Sequence, residues 1–303
     1  MSRSPCSHVE SRDARRPRTL TDRFDPEVIP ESGDPGRTVQ ERFDARIEMT
    51  VPNRHSPRLR RCMELVNADD ELYGMWIGAN VTAIERLGMT DHGPVHVKIV
   101  MNIAVRMLRL LIEADVAPSV VATYGLEPED AEVVVALSAL LHDLGMSIHR
   151  EGHEEFSLFL ANQKLRDILP ELYEPRTAGI IRQEILHAII AHRAGGTPLT
   201  LEAGVVRIAD ALDIAKGRSR IPFEAGSLSI HSISAAAVES VRIERGEERP
   251  IKIVVEMSNS AGVFQLDQLF RHKLRGSGLE PHLELEANLA GETEKRLFRQ
   301  FKL

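Results

Sequence analysis

Apolar residues recur at helical spacing through the middle of the chain. The pattern begins where Leu59, Met63 and Val66 share one face of a predicted helix. Later apolar segments are separated by Gly, Pro and short polar stretches, which typically end helices. These segments cover residues 76–87, 94–111, 131–141, 156–169, 180–193 and 201–214. The segment 131–141 is apolar on all sides, which predicts a helix buried at the centre of a helical bundle.

The pattern changes after Phe223. Residues 238–245 and 251–257 alternate between apolar and polar side chains as strands do, 264–274 is predicted to be helical, and 283–289 is predicted to be another strand. We expect a small antiparallel sheet that carries at least one helix and packs on the bundle. The predicted fold class is therefore mainly α, with a small C-terminal α+β domain.

The first part of the chain lacks this patterning. Residues 1–57 are rich in Arg, Pro, Asp, Glu and Ser and contain few large apolar residues, so burial cannot offset the entropy of ordering them. We therefore expect a disordered N-terminal tail over 1–57, a helical domain over 58–222 and the α+β domain over 223–303. An Arg cluster in the tail could contact a phosphate polymer or an acidic partner, although the interleaved acids favour a solvated tail.

Composition narrows the class of protein. A chain of 303 residues with 43% hydrophobic content can bury a full core, and a net charge of −7 argues against a nucleic-acid partner. The two cysteines, Cys6 and Cys62, form neither a CxxC motif nor a disulfide framework, which fits a reducing compartment. We expect no signal peptide and no membrane span, because no apolar stretch is long enough to cross a bilayer. The expected location is cytoplasmic, without a membrane partner.

A His-Asp pair follows the buried helix. His142 and Asp143 come directly after the segment 131–141, and Gly145 ends it. A buried imidazole and a buried carboxylate must be hydrogen-bonded or bound to a metal. One interpretation is that His142 caps the helix while Asp143 lies on the surface. The other is a metal site, which is favoured because further His and Asp residues stand on separate predicted helices. These residues are His96, His153, His192 and Asp210.

The spacing of the further residues separates strong candidates from weak ones. His96 lies in the first turn of its predicted helix, and on its own it would be interpreted as a buried neutral His. His187 and His192 are separated by roughly 140° around one helix, so one ion cannot easily bind both, and we favour His192 at the helix end. Asp210 is a carboxylate on a very apolar helix, which makes it a strong candidate. Asp213 is expected to face solvent.

A basic segment follows the last helix of the predicted bundle. It contains Lys216, Arg218 and Arg220. Cations at a helix end either complement the helix dipole or hold phosphate groups, and the sequence leaves both readings open. Together with Arg193, these residues are our candidates for binding a phosphoester and stabilising charge on its phosphoryl oxygens.

The succession of His, His-Asp and Asp on separate helices resembles the HD superfamily of metal-dependent phosphohydrolases over about residues 90–214. The core metal ligands that the resemblance implies are His96, His142, Asp143 and Asp210. In the binuclear branches two further His residues complete a second metal site, and His153 and His192 occupy the matching places. The Gly-Tyr-Pro segment of the cyclic-dinucleotide branch is missing, and Met146 stands where the family commonly has Lys.

This set of donors indicates a metal enzyme. Imidazole and carboxylate donors without thiolates suit one or two divalent ions, such as Mn, Fe, Zn, Co, Ni or Mg. The resemblance implies a phosphohydrolase or phosphodiesterase that uses metal-activated water on a small-molecule phosphoester, expected to be a nucleotide, with Asp143 as a catalytic residue. Two alternatives stay open: a di-iron oxygenase on the same ligands, and a sensor or scaffold in which the metal stabilises the bundle. The sequence is also compatible with a homo-oligomer.

Overall fold

The structure is a computed structural model, and it describes residues 46–53, 55–193, 195–214, 234 and 237–289. The bundle contains α1 (Pro57–Ala68), α2 (Asp70–Asn80), α3 (Pro94–Glu113), α4 (Ser119–Tyr124), α5 (Pro128–Leu141), α6 (His153–Ile168), α7 (Pro175–Ala191) and α8 (Leu201–Ala211). A π-helical turn, Val81–Arg86, continues α2, and 3-10 turns lie at Leu144–Ser147 and Leu169–Glu171. The predicted helical bundle is confirmed. In the described part of the chain, no helix has the length and apolar character needed to cross a bilayer.

The helix α5 is the centre of the bundle. Pro128 occupies its first turn, and the side chains of Glu127 and Asp130 form a reciprocal capping box at its start. Every residue from Asp130 to Leu141 is buried, because α5 packs against α1, α3, α7 and α8. The C-terminal end of α5 therefore lies inside the protein, and His142 and Asp143, which follow it directly, are buried there.

Gly145 allows α6 to approach this end of α5. A Cβ atom on Gly145 would lie 2.0 Å from the His153 carbonyl oxygen, so only glycine fits between the two segments. The N–H of Gly145 also donates a hydrogen bond to the Ser157 hydroxyl oxygen at 2.8 Å. The first turn of α6 is thereby held against the chain that follows Asp143, and His153 is placed beside the His-Asp pair.

The C-terminal extension forms a three-stranded sheet of β1 (Val238–Arg245), β2 (Ile251–Met257) and β3 (Leu283–Leu289), in the order β1-β2-β3. Strand β1 is antiparallel to β2, as expected, but β3 is parallel to β2. The prediction of an antiparallel sheet was therefore wrong for β3. Between β2 and β3 the chain runs through a π-helical turn (Gln265–Phe270) and α9 (Arg271–Leu274), and this crossover brings β3 into the sheet in the parallel direction.

The extension packs tightly on the helical bundle. Apolar side chains of β2, among them Ile251, Ile253 and Val255, belong to the same hydrophobic core as α3 and α8. On α8, a Cβ atom at Gly204 would lie 2.2 Å from the Ser277 carbonyl oxygen, so the backbones touch there. The α+β character of the extension is confirmed, whereas the expected domain boundary between 222 and 223 lies outside the described residues.

Residues 46–53 fall within the range predicted for the N-terminal tail, yet two of their side chains lie in the core. Met49 is 1% exposed and Val51 is also buried. The Asn67 side chain on α1 accepts a hydrogen bond from the Met49 N–H at 2.8 Å and donates one to the Met49 carbonyl at 2.9 Å. The bundle therefore includes chain that precedes residue 57. Residues 1–45 of the expected tail lie outside the described residues.

Candidate metal centre

Six buried or nearly buried side chains meet beside the C-terminal end of α5. They are His96 in the first turn of α3, His142 and Asp143 directly after α5, His153 at the start of α6, His192 directly after α7, and Asp210 in the last turn of α8. Each comes from the end of a helix, where the side chain can point along the axis towards a common centre. The structure thus brings together every residue that we expected to hold a metal.

The carboxylate of Asp143 lies between two sets of imidazoles. Its Oδ2 atom is 3.3 Å from His96 Nε2 and 3.4 Å from His142 Nε2. Its Oδ1 atom is 3.4 Å from His153 Nε2 and 3.8 Å from His192 Nε2. Each oxygen therefore faces one pair of imidazoles, which is the arrangement that a bridging carboxylate needs.

Asp210 completes the first set of donors. Its Oδ1 atom is 3.5 Å from His96 Nε2 and 3.7 Å from His142 Nε2. On the other side, Glu154 joins His153 and His192, and the ligand atoms of these three residues all lie within 4.8 Å of one another. Glu154 was not a candidate, because an acid in the first turn of a helix ordinarily complements the helix dipole.

Two of the imidazoles are oriented by the helices that they end. His142 Nδ1 lies 2.8 Å from the Ala139 carbonyl oxygen, and His192 Nδ1 lies 2.6 Å from the Ile189 carbonyl oxygen. These carbonyls belong to the last turn of a helix, where carbonyl groups lack the full set of backbone N–H partners and can accept from a side chain. A carbonyl only accepts hydrogen bonds, so Nδ1 carries the proton and, in the neutral ring, Nε2 presents its lone pair to the cluster.

His96 is oriented by a carboxylate instead. Its Nδ1 atom lies 2.6 Å from Asp213 Oδ2, and Asp213 is 6% exposed. Our expectation that Asp213 faces solvent was wrong. The helix α8 ends at Ala211, two residues earlier, so the helical spacing that placed Asp213 on the surface does not extend to it. A carboxylate behind a ligating imidazole is a common feature of metal sites, because it orients the ring and increases its basicity.

His153 is held from behind in a similar way. Its Nδ1 atom lies 3.0 Å from the Arg150 carbonyl oxygen, and its Nε2 atom faces Asp143. The side chains therefore fit a metal site, since four Nε2 atoms and the carboxylate oxygens converge. His96 Nε2 and His142 Nε2 are only 3.3 Å apart, and two lone pairs at that separation require a proton or a cation between them.

The electrostatics of the cluster also favour a cation. Burial lowers the pKa of His142, but the carboxylates of Asp143 and Asp210 outweigh burial and raise it to about 10. Burial raises the pKa of Asp143, but the neighbouring His142 outweighs it and holds that pKa well below its usual range. Burial and the positive charge on His142 lower the pKa of His192 to about 3. The two carboxylates therefore draw positive charge to the centre, where a divalent ion would supply it.

The remaining candidates lie apart from this centre or outside the described chain. His187 Nε2 accepts a hydrogen bond from the Leu199 N–H at 2.9 Å, and burial lowers its pKa, so it bonds the segment before α8 and does not join the cluster, as helix geometry predicted. Arg193 Nη1 forms an ion pair with Glu155 at 2.7 Å, and the Arg193 side chain is 44% exposed. The basic residues Lys216, Arg218 and Arg220 lie outside the described residues.

Two cations beside the cluster were not predicted. Lys273 Nζ, on α9, forms an ion pair with Asp210 Oδ2. Arg150 Nη1 lies 3.0 Å from His153 Nδ1 and 3.9 Å from the Met146 sulfur. Lys273 follows Asp210 by 63 residues, so no periodicity in the sequence could connect them. The basic residues of 271–275 can be recognised in the sequence, but their pattern does not indicate which element they contact.

Comparison with known proteins agrees with this geometry. The family model of the HD domain matches residues 95–215, a range that contains all six clustered residues. A protein of Methanocaldococcus jannaschii, named only as uncharacterized, is 41% identical over 225 residues, which cover 74% of this chain and 86% of that protein. The chain belongs to the HD domain family. This family lies in the superfamily of metal-dependent phosphohydrolases.

Proposed function

We propose that the protein is a phosphohydrolase or phosphodiesterase that cleaves a small-molecule phosphoester, such as a nucleotide, with two divalent ions. The placement of Asp143 carries the proposal, because its two oxygens face two different pairs of imidazoles. A shared carboxylate of this kind could hold two ions, which would together stabilise charge on a reacting phosphoryl group. The proposal is supported by membership of the HD domain family.

Two bound ions would supply Lewis-acid activation of water and of the phosphoryl oxygens. The residues of the chain do the remaining work. The first set of ligands would be His96, His142 and Asp210, and the second would be His153 and His192, with Asp143 shared. The bonds from the four Nδ1 atoms keep each Nε2 aimed at the centre, so the protein need not reorganise during the reaction.

Phosphate binding requires cations near the ligands. Arg193 lies directly after His192, and its ion pair with Glu155 joins two half-exposed side chains. Such a pair is weak, so a phosphate group can compete for the guanidinium. We keep Arg193 in the proposal for this reason, together with Lys216, Arg218 and Arg220.

The proposal is tested by hydrolysis assays on protein reconstituted with Mn²⁺, Fe²⁺, Zn²⁺, Co²⁺, Ni²⁺ or Mg²⁺. The substrates are nucleotides, cyclic dinucleotides and simple phosphoesters. We expect metal-stimulated release of phosphate or of a nucleoside monophosphate, and its loss in Asp143→Ala. The exposed Asp167 on α6 provides the matched control, and Asp167→Asn should leave turnover unchanged.

Turnover that survives Asp143→Ala would remove the proposal. Two irons per chain with an O₂-dependent optical change and no hydrolysis would support the oxygenase alternative instead. Tight nucleotide binding without turnover under any metal would support the sensor or scaffold alternative, above all if the protein unfolded when stripped of its metal.

A further inference from the structure

We propose that Lys273, which the C-terminal extension supplies, binds the phosphoryl group of the substrate beside the metal centre. This inference rests on the function proposed above. The Lys273 ammonium contacts Asp210 Oδ2, whereas Asp210 Oδ1 faces His96 and His142. The two oxygens of the carboxylate therefore have separate partners, and Lys273 leaves the metal-facing oxygen free.

The position of Lys273 is fixed by the face of α8 that carries Asp210. Arg207, one turn before Asp210, donates a hydrogen bond from Nε to the Lys273 carbonyl oxygen at 2.8 Å. Its Nη1 also bonds the Gly196 carbonyl, in the loop that follows α7. Arg207 is only 2% exposed, so these bonds are shielded from water. One buried guanidinium thus joins the extension to the loop after His192, close to the ligand that Lys273 contacts.

A second contact on the same face of α8 holds the extension in place. Gly204 precedes Arg207 by three residues, and Arg207 precedes Asp210 by three, so each is the helical neighbour of the next. A side chain at Gly204 would collide with the Ser277 carbonyl oxygen, four residues after Lys273. The helix therefore presents a small residue, a buried cation and a metal ligand in succession, and all three contact the segment 273–277.

The Lys273 ammonium group can donate hydrogen bonds to a phosphate as well as to Asp210. It offers three donors, and the side chain is 19% exposed, so it is accessible to a ligand. The ammonium lies at the edge of the cluster, against the Asp210 carboxylate, so a phosphate held at the metal centre would lie within its reach. Charge-assisted bonds to phosphoryl oxygens are among the stronger hydrogen bonds in proteins.

A purely structural role for Lys273 would have a different consequence. If the ammonium only balanced the charge of Asp210, its removal would change metal affinity and stability and would leave phosphate recognition intact. If it binds the substrate, its removal weakens phosphate binding while the ions stay in place, because Asp210 Oδ1 does not depend on it. Phosphate affinity at full metal occupancy therefore separates the two roles.

The test uses the full-length, metal-loaded protein and inorganic phosphate as the probe. Calorimetric titration measures the Kd for phosphate in the wild type, Lys273→Met and Lys273→Arg, with metal content determined on the same samples. We expect Lys273→Met to weaken phosphate binding by about tenfold or more, since it removes a charge-assisted hydrogen bond. Lys273→Arg should restore most of the affinity, and KM for any phosphoester substrate should follow the same order.

Lys252 provides the matched control. It lies on β2 and pairs with Glu286 at 2.7 Å, so Lys252→Met removes one lysine charge from the same extension without touching the cluster. This variant should keep the phosphate affinity of the wild type. Equal weakening in both variants would overturn the inference, because it would reflect net charge alone.

The outcomes distinguish this inference from the proposed function. If the wild type hydrolyses phosphoesters and Lys273→Met keeps its KM and its affinity for phosphate, the inference fails and the function stands. If phosphate binding depends on Lys273 but no phosphoester is hydrolysed, the inference is supported and the function fails. If Lys273→Met loses metal and phosphate together, and excess metal restores phosphate affinity, Lys273 is only a partner of Asp210 and the inference is overturned.

Discussion

The bond between His96 and Asp213 allows the metal centre to be tested without changing a ligand. The Nδ1 to Oδ2 distance is 2.6 Å and Asp213 is 6% exposed, so the bond is short, charge-assisted and shielded from water. Asp213→Asn removes the negative charge and keeps a carbonyl oxygen that can accept from Nδ1. Asp213→Ala removes the acceptor altogether, and the imidazole then loses the group that sets its orientation.

The size of the effect follows from what such a partner does. Removing the carboxylate behind a ligating imidazole lowers metal affinity by about 10- to 100-fold, or about 1.4 to 2.7 kcal/mol. We expect Asp213→Asn at the lower end of this range and Asp213→Ala at the upper end. The other three imidazoles of the cluster have backbone carbonyls beside Nδ1, which a substitution at Asp213 leaves in place, so the loss should be confined to the ion that His96 would bind.

Competition with a chelating dye measures both affinities in the wild type and in each variant. The Asp167→Asn variant is the control for a lost surface carboxylate, and circular dichroism checks that every variant is folded. Retention of both ions at wild-type affinity in Asp213→Ala would refute the reasoning. An equal loss of both ions would also contradict it, since the second set of ligands has its own anchors.

Further predictions concern packing, thiol chemistry and metal removal. Gly145→Ala should lower the free energy of unfolding by about 2 kcal/mol or more, because the new Cβ meets the His153 carbonyl. In Gly179→Ala the new Cβ meets nothing, so this variant should raise the free energy of unfolding by about 0.5 to 1 kcal/mol. Chemical denaturation measures both changes. Burial raises the pKa of Cys62 to about 12, so in a Cys6→Ser background Ellman's reagent should not react until the protein unfolds. Because the folded pKa lies above the unfolded value, stability should also decline as the pH rises beyond about 8.5; a constant unfolding midpoint from pH 8 to 10 would disagree. Chelation should lower the Tm, since it leaves buried carboxylates with fewer countercharges, and an unchanged Tm in calorimetry would count against a bound metal.

The helices could be predicted because burial and periodicity agree in them. The segment 131–141 is apolar on every side and is buried on every side, and its end coincides with the His-Asp pair. The direction of β3 could not be predicted in the same way, since apolar and polar side chains can alternate in a parallel strand as they do in an antiparallel one. Only the helical segment 264–274 before it, which permits a crossover, hinted at the parallel direction.

The candidate ligands of the site could be predicted, but the residues that surround them could not. His142 and Asp143 stood out because they are polar residues at the end of an apolar helix. Asp213 did not, because the helix before it ends at Ala211, whereas the pattern suggested a helix that continues past Asp213. Lys273 is brought to Asp210 by contacts of α8 with a segment more than 60 residues away. Such long-range contacts cannot be predicted from the local sequence pattern.

Elemental analysis of the full-length protein, purified without chelators, tests the two-ion centre most directly. The arrangement of Asp143 between two pairs of imidazoles predicts two divalent ions per chain. It also predicts that the double variant His153→Ala, His192→Ala keeps one ion, held by the first set of ligands, while His187→Ala keeps two. A wild-type protein with one ion, or a double variant that retains both, would contradict the account.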